Sequence, residues 1–110
     1  MKINVKCVSV ELTPSFNSYT EEKIQPLSRF FKEFNSTGEA EVWVEVRRTT
    51  KHHKSGDVFS ASADLRLPKK ILRAEAEEAD ARAAIDAVKD KLHTEIEKYR
   101  TQFVKPKRGK

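Results

Sequence analysis

The chain is 110 residues long, 37% hydrophobic and 35% charged, with 22 Lys and Arg against 17 Asp and Glu for a formal net charge of +5. That length suits one domain that can bury a core without metals or disulfides, and the single Cys7 excludes an intramolecular disulfide framework. No apolar run approaches the roughly 20 residues of a membrane helix, and the opening Met-Lys-Ile-Asn-Val lacks the apolar stretch of a signal peptide, so a cytoplasmic protein with no membrane partner is expected.

Residues Lys2 to Val8 read as a first strand, with Ile3, Val5 and Cys7 on one face and Lys2, Asn4 and Lys6 on the other. After Cys7 the apolar parity shifts to Val8, Val10 and Leu12, so the strand ends or bulges there. Thr13-Pro14 then predicts a helix start: the Thr hydroxyl caps free amides, and Pro14 gives up one that had no partner. Phe16, Thr20, Ile24, Leu27, Phe31 and Phe34 form the apolar stripe of this helix, flanked by Tyr19 and Phe30. Pro26 conflicts with a regular helix, costing about 3 kcal/mol, and predicts a kink near Glu22 to Pro26 or two shorter helices.

Asn35 to Gly38 is a turn. From Glu39 to Thr49 the chain alternates, with Ala40, Val42, Val44 and Val46 inward and Glu41, Trp43, Glu45 and Arg47 outward. Trp43 on the polar side either covers a cross-strand neighbour or offers a stacking platform to a base or a partner. A polar hairpin loop containing Arg47, Arg48, Lys51, His52, His53, Lys54 and Gly56 follows, and then a third strand, Val58 to Leu67, with Phe59, Ala61, Ala63, Leu65 and Leu67 inward.

Pro68-Lys69-Lys70 turns the chain into a fourth strand, in which Leu72, Ala74 and Ala76 alternate with Arg73, Glu75 and Glu77. At Asp80 the period changes. Ala81, Ala84, Ile85, Val88, Leu92 and Ile96 recur at three- and four-residue steps, and Asp80 caps this last helix. The order β-α-β-β-β-α predicts an α+β, two-layer sandwich: a four-stranded mixed sheet with two helices on one face. The first two strands are joined across a helix and are expected to be parallel, the remaining pairs antiparallel. Residues 1–102 form this domain, and 103–110 form a basic tail that is flexible when free.

No nucleophile, base and metal set can be assembled from these residues. His52 and His53 are adjacent and point opposite ways in an extended segment, there is no CxxC, HxxxH or glycine-rich phosphate loop, and Asp86 and Asp90 read as the solvated face of helix two. Neither a cofactor nor an enzymatic activity is expected. Positive charge instead gathers at the hairpin loop, at Lys69 and Lys70, and on the second half of helix two with its tail. From Lys98 onward stand Lys98, Arg100, Lys105, Lys107, Arg108 and Lys110 with no acid, so the rest of the chain is close to neutral. Such asymmetry suits a polyanionic partner or a solubilising end, and Lys89, Lys91, Lys98 and Arg100 also complement the negative end of their own helix. Neutralising about six phosphates implies an affinity loss on the order of 10³-fold between 50 and 200 mM salt.

The pattern Leu72-x-Ala74, followed by Glu75, Glu77 and Glu78 and by Asp80, then Ala84-Ile85-Asp86 and Asp90-Lys91-Leu92, resembles the signature of the ribosome hibernation promoting factor family, which includes ribosome-associated inhibitor A and was also called sigma-54 modulation protein or S30EA. The first strand, the Leu12-Thr13 entry to helix one, Lys23 and Leu27 within it, and the His-containing hairpin are similar to that family too. The resemblance implies a fold similar to double-stranded RNA-binding domains. It also implies docking on small-subunit rRNA in the channel for mRNA and tRNA, with translation silenced under stress.

The family's basic positions fall on Lys23, Lys91, Lys98 and Arg100, and the candidate ribosome-binding set adds Arg47, Arg48, Lys51, His52, Lys54, Lys69, Lys70, Lys89, Lys105, Lys107 and Arg108. The chain departs from its relatives at Arg82, where they tend to carry an aromatic, and at Glu95 and Glu97, which reduce the positive face. A short-type factor acting as a monomer is expected. The alternative is a regulatory protein-interaction module of the same fold that uses the exposed sheet face around Trp43.

Overall fold

The computed structural model describes residues 1–32, 40–50 and 56–103. Its strands are β1 (Lys2–Val8), β2 (Glu41–Thr50), β3 (Asp57–Leu67) and β4 (Lys70–Glu78), and its helices are α1 (Pro14–Ile24) and α2 (Ala81–Phe103), with a 3-10 segment over Gln25–Phe30. The sheet order is β1-β2-β3-β4, with β1 parallel to β2 and the other neighbours antiparallel. The expected two-layer α+β arrangement is therefore the observed one.

Local chemistry accounts for each boundary. β1 stops at Val8 because Ser9 takes a positive φ of 61°, which turns the chain where the apolar parity shifts. The Thr13 hydroxyl accepts the Phe16 amide at 3.0 Å, and Pro14 occupies the first turn of α1. Pro26 ends regular α-helix at Ile24, and the chain continues as the 3-10 segment, so the apolar stripe passes unbroken through Phe16, Thr20, Ile24, Leu27 and Phe31, all buried. Buried Thr20 satisfies its hydroxyl on the Phe16 carbonyl at 3.0 Å. The Asp80 carboxylate accepts the Ala83 amide at 3.1 Å and starts α2. Phe34, the turn at 35–38 and residues 51–55 and 104–110 lie outside the described residues.

The core lies between the sheet and the two helices. Val42, Val44 and Val46 of β2, Ala61, Ala63 and Leu65 of β3, and Leu72, Ala74 and Ala76 of β4 meet Ala84, Ile85, Val88, Leu92 and Ile96 of α2. The small alanines of β3 and β4 let α2 sit close, and each large aliphatic side chain buried there contributes about 1.5 to 3 kcal/mol. Phe59 faces the same way but is only partly buried, because its cross-strand partner is Glu78, where β4 ends.

Candidate nucleic-acid interface

α1 and α2 run side by side, and polar side chains stitch the seam between them. The Tyr19 hydroxyl donates to Asp86 Oδ1 at 2.7 Å, and Lys23 Nζ lies 3.6 Å from the same oxygen. Asp86 thus joins helix to helix rather than simply facing solvent. Arg82 places its guanidinium 4.7 Å from the Tyr19 ring centroid and donates to Ser15 Oγ at 2.9 Å, so the cation closes the seam itself, using the Tyr19 ring as its platform. Farther along, Phe30 and His93 stack with centroids 4.3 Å apart. Lys23 is therefore a seam residue as well as a candidate contact.

The second half of α2 carries most of its charge already paired. Lys89 bonds Asp90 at 2.8 Å and holds the Asp90 carboxyl below its ordinary value. Lys98 lies 3.5 Å from Glu95, and Arg100 lies 3.4 Å from Glu97, which also approaches His93 at 3.6 Å. Lys91 differs. It is exposed, makes no ion pair among the described residues, and lines two shallow concavities with Arg73 and Glu75 at the β4 edge. Lys91 and Lys98 are seven residues apart and share one stripe of the helix.

Cross-strand register organises the face of the sheet away from the helices. Lys2, Glu41, Arg66 and Ile71 form one row across the strands, then Asn4, Trp43, Asp64 and Arg73, then Lys6, Glu45, Ser62 and Glu75, then Val8, Arg47, Ser60 and Glu77. Cations and anions alternate, leaving this face balanced in charge. Arg47 bonds Glu45 at 2.7 Å, while Arg73 bonds Asp64 at 2.9 Å and Glu75 at 3.1 Å, which holds its guanidinium pKa above the usual arginine value. Trp43 is 43% exposed and has the Arg66 guanidinium 5.1 Å from its ring centroid, so one ring face already meets a neighbouring cation.

The candidate cations fall at opposite ends of the molecule. Arg47 and Arg48 stand where β2 approaches the hairpin, whereas Lys69 and Lys70 stand at the β3–β4 turn, toward which α2 runs with Lys98 and Arg100. The 23 residues of α2 separate the two ends by about 34 Å. Lys51, His52, Lys54, Lys105, Lys107 and Arg108 lie outside the described residues. Sequence reasoning missed Arg66, Arg73 and Arg82 as organising cations. The strand parity of the first two, opposite the inward leucines, was the signal available for them. No group of three or more His, Cys, Asp or Glu able to hold a metal occurs among the described residues, nor is any described helix long and apolar enough to cross a membrane.

The chain is similar to known proteins along nearly its whole length. The chain is 31% identical over 105 residues to the ribosome hibernation promotion factor of Lactococcus lactis, covering 94% of this chain and 51% of that one. It is 32% identical over 97 residues to that of Deinococcus radiodurans, covering 88% and 48%. It thus spans about half the length of these two relatives. With the ribosome hibernation promoting factor of Azotobacter vinelandii the identity is 28% over 109 residues, covering 99% of this chain and 92% of that one. The N-terminal domain of Thermus thermophilus Protein Y superposes with a TM-score of 0.70 at 28% identity, covering 90% of this chain and 99% of that one. A ribosomal subunit interface protein from Coxiella burnetii shares the fold, with a TM-score of 0.70 at 23% identity over 92% of this chain and 99% of that one. The family model described as sigma 54 modulation protein / S30EA ribosomal protein matches residues 3–103, and the chain belongs to that family.

Proposed function

We propose that this protein is a ribosome hibernation factor: a cytoplasmic, non-enzymatic translation inhibitor that docks as a monomer on small-subunit rRNA in the channel for mRNA and tRNA. The observation that carries this is the family match over residues 3–103, which takes in every described element of the fold. Lys91 is the strongest contact candidate, because its ammonium is exposed and without a counterion among the described residues, so little must be broken before it meets a phosphate. Lys98 and Arg100 join it after exchanging Glu95 and Glu97 for phosphate, and Lys23, Lys69, Lys70, Arg47, Arg48 and the tail supply flanking charge. Co-sedimentation with purified small subunits across a salt series tests the proposal. Binding at 50 mM salt that weakens on the order of 10³-fold by 200 mM supports it, and no binding at low salt overturns it.

A second function is favoured by the charge-balanced sheet face with Trp43 and Ile71 exposed, at 43% and 59%. A polyanion gains little there, whereas a protein partner finds matched charges beside apolar surface. Truncation after Tyr99 separates the two. Loss of ribosome association favours rRNA binding, and partner capture that survives truncation but fails in Trp43→Ala favours the interaction module.

A further inference from the structure

β1 is an edge strand, and its inward residues are the least covered on the core face of the sheet. Ile3, Val5 and Cys7 are all only half-buried, while the central inward residues of β2, β3 and β4 are below 8% exposed. A groove of about 830 Å³ opens beside the start of this strand, lined by Met1 and Ile3, by Glu21 and Glu22 of α1, and by Pro26 and Arg29 of the 3-10 segment.

Among the described residues, no other strand or loop pairs with the backbone of the same strand on that side. The Lys2 amide donates to the Ala40 carbonyl of the preceding segment at 3.2 Å, and in a parallel ladder alternate residues point their amide and carbonyl toward the same neighbour. Lys2, Asn4 and Lys6 therefore bond toward β2, and Ile3, Val5 and Cys7 present amide and carbonyl groups to the open edge. The side chains with room beside them and the backbone groups without strand partners belong to the same residues. On the outer face of the strand Lys2 and Lys6 are exposed and make no ion pair among the described residues.

We propose that the open edge of β1 is a docking site for an extended peptide segment of another protein in which apolar and acidic residues alternate. Such a segment adds a fifth strand beside β1, bonding to the main chain of Ile3, Val5 and Cys7. Its apolar side chains enter the groove beside α1, over Ile3, and add cover to half-buried Val5. Its acidic side chains fall on the outer face beside Lys2 and Lys6. No residue of α2, Lys91 included, lines this groove, so the site does not depend on the ribosomal proposal.

The test uses a fluorescein-labelled peptide, Glu-Val-Glu-Val-Glu-Val-Glu, titrated with the whole protein by fluorescence anisotropy. Saturable binding is expected, at least tenfold tighter than that of a reordered peptide of the same composition, Glu-Glu-Val-Val-Val-Glu-Glu. Val5→Pro removes an outward amide while leaving the bonds to β2, and is expected to weaken binding at least tenfold with the far-UV circular dichroism unchanged. The outward-facing double substitution Lys2→Glu/Lys6→Glu is expected to switch preference to Lys-Val-Lys-Val-Lys-Val-Lys, which gives a second readout should Val5→Pro fail to fold. Equal binding of the ordered and reordered peptides, or no saturation at millimolar protein, overturns the proposal. Concentration-dependent self-association that Val5→Pro abolishes also overturns it, by assigning the edge to a second copy of this chain.

Discussion

The Tyr19 hydroxyl and the Asp86 carboxylate, 67 residues apart in the chain, meet at 2.7 Å across the seam between α1 and α2. Donation to the carboxylate, and burial after it, hold the Tyr19 phenol above its ordinary pKa. A tyrosine whose folded pKa is raised contributes stability that is complete below the unfolded value of about 10 and is lost as pH rises through the folded value. Tyr19→Phe is expected to cost about 1 kcal/mol at neutral pH, near the low end for a charged acceptor because the Asp86 side chain is 46% exposed. Urea denaturation at pH 7 and above pH 10 checks this: the gap between wild type and variant closes as the phenol ionises.

Ile85 has no exposed surface and sits within the Ala-Ile-Asp signature, packed between the sheet and α1. Ile85→Ala is expected to destabilise the fold by about 3 to 4 kcal/mol, combining lost burial with a cavity that the surrounding strands only partly collapse. Thermal unfolding by circular dichroism reads the loss directly.

Thr13 holds the entry to α1 through a single side-chain bond, 3.0 Å to the Phe16 amide. Thr13→Ala is expected to cost about 1 kcal/mol, and Thr13→Ser to cost much less. Because α1 carries Phe16, Thr20 and Ile24 into the core, the loss registers in global stability, seen as a shifted denaturation midpoint at unchanged slope.

These elements differ in how openly the sequence declared them. Binary alternation identified all four strands, since each turns one face toward the core, and a slip of one residue would have turned Val42, Val44 and Val46 to solvent. Pro26 was legible as a conflict, and the chain resolved it by tightening to a 3-10 turn that kept Leu27 and Phe31 inward. The charges were harder. Glu95, Glu97, Lys98 and Arg100 can be named from the sequence, but which cation meets which acid depends on helix phase and rotamer, and only Lys91 remains clear of such pairing among the residues where α2 nears the β4 edge. Arg82 shows the same limit. Its departure from the aromatic usual among relatives could be noted, yet the ring it stacks on lies on another helix, 63 residues earlier.

Lys91→Glu is expected to weaken association with the small subunit more than Arg47→Glu does. The Arg47 charge is already balanced by Glu45 at 2.7 Å, whereas Lys91 brings an exposed charge with no partner among the described residues. Lys91→Ala, which only removes the cation, should lower the slope of log affinity against log salt by about 0.7 to 0.9, the contribution of one phosphate contact. Binding isotherms at four or five salt concentrations supply the slope, and an unchanged slope removes Lys91 from the interface.

Glu95 and Glu97 lie 3.5 and 3.4 Å from Lys98 and Arg100, and would compete with phosphate for them in the proposed interface. Each pair is solvent-accessible, the Arg100–Glu97 pair only partly, and spaced three residues along one helix, so its contribution to stability is about 0.5 kcal/mol. The double substitution Glu95→Gln/Glu97→Gln should therefore leave the unfolding midpoint nearly unchanged, while it removes these ion-pair partners of Lys98 and Arg100 and two charges that repel a polyanion. Affinity for the small subunit is expected to rise by about tenfold at 50 mM salt, with the gain shrinking toward 200 mM as the Debye length shortens and these charges are screened. Tighter binding with unaltered stability places Lys98 and Arg100 at the nucleic acid. A stability change without an affinity change returns them to the helix, where complementing its carboxyl-terminal dipole is their whole role.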